Sequence, residues 1–178
     1  MRRMVMMLTV AALLGALSAR VALAHDHQIP NTVLKKGAKE LQTGLRVVDS
    51  SWTQHAGNGE YVTQTASYSW RFPEVDRVAA DSKLRVMVLK SQKPDPFSIT
   101  AYSKLDESGA PSGRGRLLRR SLKPVVQDGK TVAWDVVFYV ARPARNYYLV
   151  SEGHWKDVQG SGADQWAHWS FHVRARSS

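Results

Sequence analysis

From residue 44 onward, apolar and polar side chains alternate with a period of two. The runs are short and bounded by Gly, Pro, Asp and Asn, and helix-period patterning is scarce. In 60–72, Val62, Ala66, Tyr68, Trp70 and Phe72 share one face, against Thr63, Thr65, Ser67, Ser69 and Arg71 on the other. The run 84–89 is apolar on both faces, the pattern of a central strand. Phe97, Ile99, Ala101, Ser103 and Leu105 alternate with Ser98, Thr100, Tyr102 and Lys104, after which Asp106-Glu107-Ser108-Gly109 supplies turn chemistry. Val132, Trp134, Val136, Phe138 and Val140 make the strongest apolar face in the chain.

Two hairpins are legible. Asp128-Gly129 lies between Val125-Val126 and Thr131-Val132, and a two-residue type I′ turn needs the positive φ that Asp-Gly tolerates at both centres. A second hairpin joins 145–155 to 164–176 through Gly160-Ser161-Gly162. If partner numbers sum to 320, Tyr147 faces Val173, Leu149 faces Phe171 and Ser151 faces Trp169, so the apolar faces agree. The opposite face then carries His154, Trp166, His168, Ser170 and His172. Segments 44–54, 60–72, 83–91, 97–105, 115–126, 130–141, 145–155 and 164–176 predict an all-β, antiparallel, immunoglobulin-like β-sandwich of seven to eight strands. An eight-stranded β-barrel is the alternative. Residues 25–43 read as an extended N-terminal arm and 44–178 as a single sandwich domain.

The first 24 residues differ in kind. Arg2-Arg3, an apolar run from Met4 to Leu17, and Ala22-Leu23-Ala24 follow the order of a secretory signal peptide cleaved after Ala24. The 16 uncharged residues between Arg3 and Arg20 fall short of the roughly 20 that a membrane-spanning helix requires. The expected product is exported to the periplasm, the cell envelope or the medium, with no transmembrane helix in the mature chain. Removing the leader takes three arginines and no acid, leaving 22 basic and 15 acidic residues in 154, a net charge of +7.

With no Cys in the chain, disulfides, thiolate nucleophiles and Cys-based metal motifs are excluded. A single domain of this size buries about 68–70% of its unfolded surface, enough for a core without staples. The sequence also lacks a Gly-x-Ser-x-Gly elbow, a His-Glu-x-x-His helix, a phosphate loop and a dinucleotide fingerprint. Asp106 and Glu107 are adjacent in a turn and point apart, unlike an acid and base pair. The expected role is therefore a binding or interaction module rather than a catalyst, its partner an extracytoplasmic protein or wall polymer. Nucleic acid is not expected as a partner of an exported protein.

Three groups of residues carry candidate chemistry. Cleavage after Ala24 makes His25-Asp26-His27 the new amino terminus, where the α-amine, two backbone amides and the third-residue imidazole suit square-planar Cu(II). This terminus resembles the His-first ends of secreted copper proteins, including CopC-like β-sandwich copper carriers and copper-dependent polysaccharide monooxygenases. The resemblance implies an extracytoplasmic copper-binding alternative, with His25 and His27 as ligands. The downstream Asp-x-His of the carriers is replaced here by Asp164 and His168, four apart. His154 and His168 are diagonal neighbours across the second hairpin and form a second candidate metal pair, whereas His168 and His172, about 13 Å apart on one strand, cannot chelate one ion.

The second group is a ligand surface of Trp155 and Trp166 with His172, whose rings can stack on sugars or grip a peptide. The third is a run of Arg114, Arg116, Arg119, Arg120 and Lys123, which can dock an anionic partner or protect an edge strand from aggregation. Pairing through the Asp-Gly turn sends Lys123 to the Trp134 face unless Pro124 forms a bulge.

Overall fold

The computed structural model describes residues 29–43, 46–55, 60–72, 77–79, 81–140, 146–156 and 163–176. Among the described residues there are fourteen strands and no helix. These are β1 (Thr32–Lys36), β2 (Lys39–Thr43), β3 (Arg46–His55), β4 (Tyr61–Ser67), β5 (Val78–Ala79), β6 (Lys83–Val88) and β7 (Phe97–Tyr102). They continue with β8 (Lys104–Leu105), β9 (Pro111–Ser112), β10 (Arg116–Leu117), β11 (Arg120–Gln127), β12 (Lys130–Tyr139), β13 (Asn146–Trp155) and β14 (Gln165–Arg176).

One antiparallel sheet runs β11-β12-β6-β1-β2. The other runs β10-β7-β13-β14-β3-β4, antiparallel along that path, with β5 added in parallel to the end of β14. The pair β8-β9 forms a separate small ribbon. Among the described residues neither sheet closes on itself, so the eight-stranded barrel does not form. Leu34, Leu84, Val86, Val88, Val136 and Phe138 of the first sheet and Ile99, Leu149, Trp169, Phe171 and Val173 of the second belong to one buried cluster. Phe138 meets Phe171 across it, edge to face at 6.1 Å. Each fully buried side chain of this size stabilises the fold by about 1.5–3 kcal/mol relative to exposure, so this shared layer holds the sheets together without covalent links.

The hairpin registers follow the alternation. Tyr147 pairs with Val173, Leu149 with Phe171 and Ser151 with Trp169, as the apolar faces demand. Asp128 (φ 51°) and Gly129 (φ 73°) make the tight turn, with Gln127 opposite Lys130. The run 84–89 delivers β6 as an interior strand flanked by β12 and β1, but only one face is fully apolar: Leu84, Val86 and Val88 are buried, while Arg85 and Met87 lie half-buried on the other.

Three expectations are corrected. Residues 32–43, within the stretch expected as an extended arm before the first strand, are themselves paired strands. They form β1 and β2, and Leu34, fully buried opposite Val86, supplies the neighbour that β6 needs on its second side. The strand count exceeds seven or eight: β1, β2, β5 and β9 lie outside the expected strand segments, 97–105 holds both β7 and β8, and 115–126 divides at buried Leu118 into β10 of one sheet and β11 of the other. The pairing of β11 with β12 shifts between Val125 and Val126, where Val132 of β12 is the extra residue, and this sets Pro124 opposite Trp134 and Lys123 opposite Asp135. Lys123 therefore leaves the Trp134 face and points with the exposed side of an edge strand.

Candidate functional site

The face of the seven-stranded sheet turned away from the core collects most of the polar chemistry. Strict alternation in β13 buries Leu149, Ser151, Gly153 and Trp155 and turns Val150, Glu152 and His154 outward. His168 is opposite Glu152, and Trp166 opposite His154, on β14. Ser98, Thr100 and Tyr102 point the same way from β7. Asp49 of β3 is opposite His168, in the same register that pairs Trp166 with Ser51 and Ala167 with Ser50; a one-residue shift follows, between His168 and Trp169.

The walls rise from two loops. After β4 the chain turns across this face, held by Tyr68 N–H donating to the Val48 carbonyl (2.8 Å) and by Ser170 Oγ donating to the Arg71 carbonyl. Trp70 stacks on Phe72 at 5.9 Å, and Phe72 meets Tyr148 edge-on at 5.2 Å. On the other side, Asp106 Oδ1 accepts from Ser108 N–H (2.9 Å), Ser108 Oγ (2.7 Å) and Ala110 N–H (2.9 Å), which fixes the turn carrying Ala110 and Pro111. These hydrogen bonds, first that of the Ser108 hydroxyl and then that of the Ala110 amide, hold the Asp106 carboxyl below its ordinary value. The open cleft between them has a volume of about 400 Å³ and is lined by Asp49, Trp70, Ser98, Thr100, Tyr102, Ala110, Pro111, Val150, Glu152 and His168.

Glu152 organises the polar floor. Its Oε1 lies 2.5 Å from His154 Nε2 and 3.4 Å from His168 Nε2, and His168 Nδ1 lies 4.0 Å from Asp49 Oδ2. Burial raises the Glu152 carboxyl, but the hydrogen bond to His154 and the charge and hydrogen bond of His168 outweigh it and hold the group below the usual value. His154 is fixed through its backbone, donating to the Pro96 carbonyl (3.0 Å) and accepting from the Asp95 amide (2.7 Å).

No protein-family model, curated protein or solved structure matches this chain. What the site can do is therefore read from its residues. Carboxylates accept from hydroxyl or amine donors, Ser98, Thr100 and Tyr102 donate and accept, and Trp70 and Tyr102 offer aromatic faces. Among the described residues, no group of three or more His, Asp or Glu is arranged to hold a metal ion.

The structure brings some of the sequence-predicted residues together and separates others. His154 and His168 do meet across β13 and β14, but at the Glu152 carboxylate rather than around an open ion position. Trp166 is half-buried on the outer face, its ring 5.0 Å from that of His168. His172 stacks on Tyr148 at 4.8 Å. Trp155 is a correction: it is fully buried, edge-on to Trp52 (5.4 Å) and Trp169 (6.2 Å), with Nε1 donating to the Gln92 carbonyl. Its parity with Leu149 and Ser151 turns it inward, and the core continues to the very end of the hairpin. His25 and His27 lie outside the described residues.

Arg114, Arg116, Arg119, Arg120 and Lys123 are all exposed. The run crosses from β10, at the edge of one sheet, to β11, at the edge of the other, so it borders one side of the molecule. Arg120 Nε donates to the Phe97 carbonyl. Sequence reasoning missed Glu152 and Asp49. Glu152 was within reach, since the register summing to 320 already opposes it to His168. Asp49 was not, because it depends on the pairing of β3 with β14, two strands far apart in the sequence.

Proposed function

We propose that this chain is an exported, non-catalytic binding module of immunoglobulin-like β-sandwich build, and that its ligand is a saccharide unit of an envelope or wall polymer held in the outer-face cleft. One observation carries the reading. Asp49, Glu152, His168 and the hydroxyl row Ser98, Thr100 and Tyr102 converge in a single opening of about 400 Å³ beside the ring of Trp70. A sugar presents hydroxyls to carboxylates and an apolar ring face to an aromatic, and this lining supplies both. The exposed basic run beside β10 and β11 supports an anionic character for the polymer that carries the sugar. Among the described residues no helix is long and apolar enough to cross a membrane.

The test is co-sedimentation with purified envelope polysaccharide. Glu152→Gln and Trp70→Ala each lower retention about tenfold, the scale of one lost hydrogen bond to a charged group or one lost stacking face. Unchanged retention in both variants retires the reading. Export is tested by intact mass of the released protein, which should begin at His25. Copper capture by that terminus is a separate proposal resting on the spacing of His25 and His27. It fails if the cut falls elsewhere, or if His27→Ala binds Cu(II) as the parent does.

A further inference from the structure

The cleft has two halves of different chemistry. Asp49, His168, Glu152 and Ser98 stand directly opposite one another on β3, β14, β13 and β7, and make a single polar row across the sheet. Two residues further along the strands, about 7 Å away, Val150 lies opposite Thr100. Ala110 and Pro111 line the same opening, Pro111 paired with Leu105 just beyond the Tyr102 end of β7. This second half is an apolar corner that also holds the hydroxyls of Thr100 and Tyr102. Gly115, at the entry to β10 beside β7, keeps the corner open. A Cβ there would lie 2.6 Å from Thr100 Cγ2 and 2.8 and 2.9 Å from Tyr102 Cε1 and Cζ, so the Tyr102 ring rests over bare backbone. A side chain at 115 would push the ring off this seat. With the β10 side closed, the ring turns toward β13 and fills the corner.

We infer that the sugar held in this cleft is an N-acylated amino sugar, with its hydroxyls on the polar row and its acyl methyl in the corner of Val150, Ala110 and Pro111, and that Gly115 is the positioning residue that keeps room for that group. The inference rests on the saccharide reading above and names the class of sugar. One ring and its substituent bridge the distance between the two halves. Charge then selects among substituents. A carboxylate here would face Asp49 and Glu152, and among the described residues no Lys or Arg lines the cleft to receive it. A free amine would find Glu152 already engaged by His154 and His168. An acyl amide is neutral and brings one donor, one acceptor and a methyl group, which the Thr100 and Tyr102 hydroxyls and the apolar corner match.

The experiment is calorimetric titration of the protein, as recovered from expressing cells, with tetramers of N-acetylglucosamine, glucosamine and glucose. The N-acetylglucosamine tetramer should bind about tenfold more tightly than the glucose tetramer, the combined scale of one buried methyl and one hydrogen bond. The glucosamine tetramer should bind no more tightly than glucose. Gly115→Ala, which acts through Tyr102, and Val150→Ser, which makes the corner polar, should each lower that preference to about twofold. The preference is a ratio of dissociation constants taken on one preparation, so partial unfolding does not imitate its loss. Equal affinity for the three tetramers, or tightest binding of glucosamine, overturns the inference and leaves the saccharide reading standing. A tenfold preference that survives in Gly115→Ala or in Val150→Ser overturns it too. Absence of binding by every tetramer also overturns it, and the saccharide reading then stands or falls on retention of envelope polysaccharide.

Discussion

Replacing Gly153 by alanine should destabilise the fold through a single contact. A Cβ at this position would lie 2.8 Å from Trp155 Cη2, and 3.2 Å from both Trp155 Cζ3 and Phe97 Cδ2. The first distance is shorter than packed carbons tolerate, so something must move. Trp155 has nowhere to go: Trp52 and Trp169 meet it edge-on, and its Nε1–H is held by the Gln92 carbonyl at 3.1 Å. Overpacking of this kind costs about 1–3 kcal/mol, and a boxed indole puts the site near the top of that range. Reduced freedom of the unfolded chain returns about 0.4–1 kcal/mol, leaving a net loss of about 2 kcal/mol.

With a urea m-value of about 2 kcal/mol/M, the unfolding midpoint should fall by about 1 M. Trp155→Phe deletes the two crowded ring atoms. In that background Gly153→Ala should cost at least about 1 kcal/mol less, an interaction energy well outside the few tenths seen for independent sites. An unchanged midpoint for Gly153→Ala, or strict additivity in the double variant, would refute the packing account. Because Gly153 lies between Glu152 and His154, the same variant should also weaken ligand retention in the cleft.

Further predictions concern the electrostatics and the turn. Asp135 is nearly buried on the outer face of the five-stranded sheet and accepts from Arg85 Nε at 2.7 Å, so Arg85→Leu should cost about 2 kcal/mol by urea titration, chiefly by stranding that carboxylate. Glu152 titrates below the ordinary value of 4.5, so its contribution to stability is complete above that pH and is lost as the pH falls through the lower folded value. Glu152→Gln should accordingly flatten the acid limb of the stability profile, and an identical limb in the variant would contradict the assigned contacts. Gly129 holds φ 73° at the second centre of the type I′ turn, and Gly129→Val should cost at least about 1 kcal/mol while Asp128→Asn stays within about 0.5 kcal/mol, as read by thermal midpoints.

The sequence and the structure agree where local chemistry decides. Asp128-Gly129 admits one tight turn, and the alternation on 145–155 and 164–176 fixes a register that a one-residue slip would turn inside out. Glu152 and His154 follow from that register, because both sit on its outward parity. Trp155 illustrates the opposite case: it ends a hairpin strand, yet its inward parity carries it into the core. What stayed hidden depends on contacts between distant segments. β1 ends in Lys35-Lys36 and looks polar in isolation, yet Thr32, Val33 and Leu34 are all buried, and its place beside β6 comes from the sheet rather than from its own composition. Asp49 enters the cleft only through the pairing of β3 with β14, strands far apart in the sequence, and Trp70 only because the chain after β4 leaves the sheet and crosses its outer face.

The central claim is that ligand enters the outer-face cleft, and the six tryptophan indole N–H signals of the protein report on it directly. Titration of envelope polysaccharide fragments, followed by two-dimensional NMR, should move the signal of Trp70 at the cleft wall. Buried Trp52, Trp155 and Trp169 should stay in place, and Glu152→Gln should suppress the shift. A ligand-induced shift that spares Trp70, or one that persists undiminished in Glu152→Gln, would contradict the account.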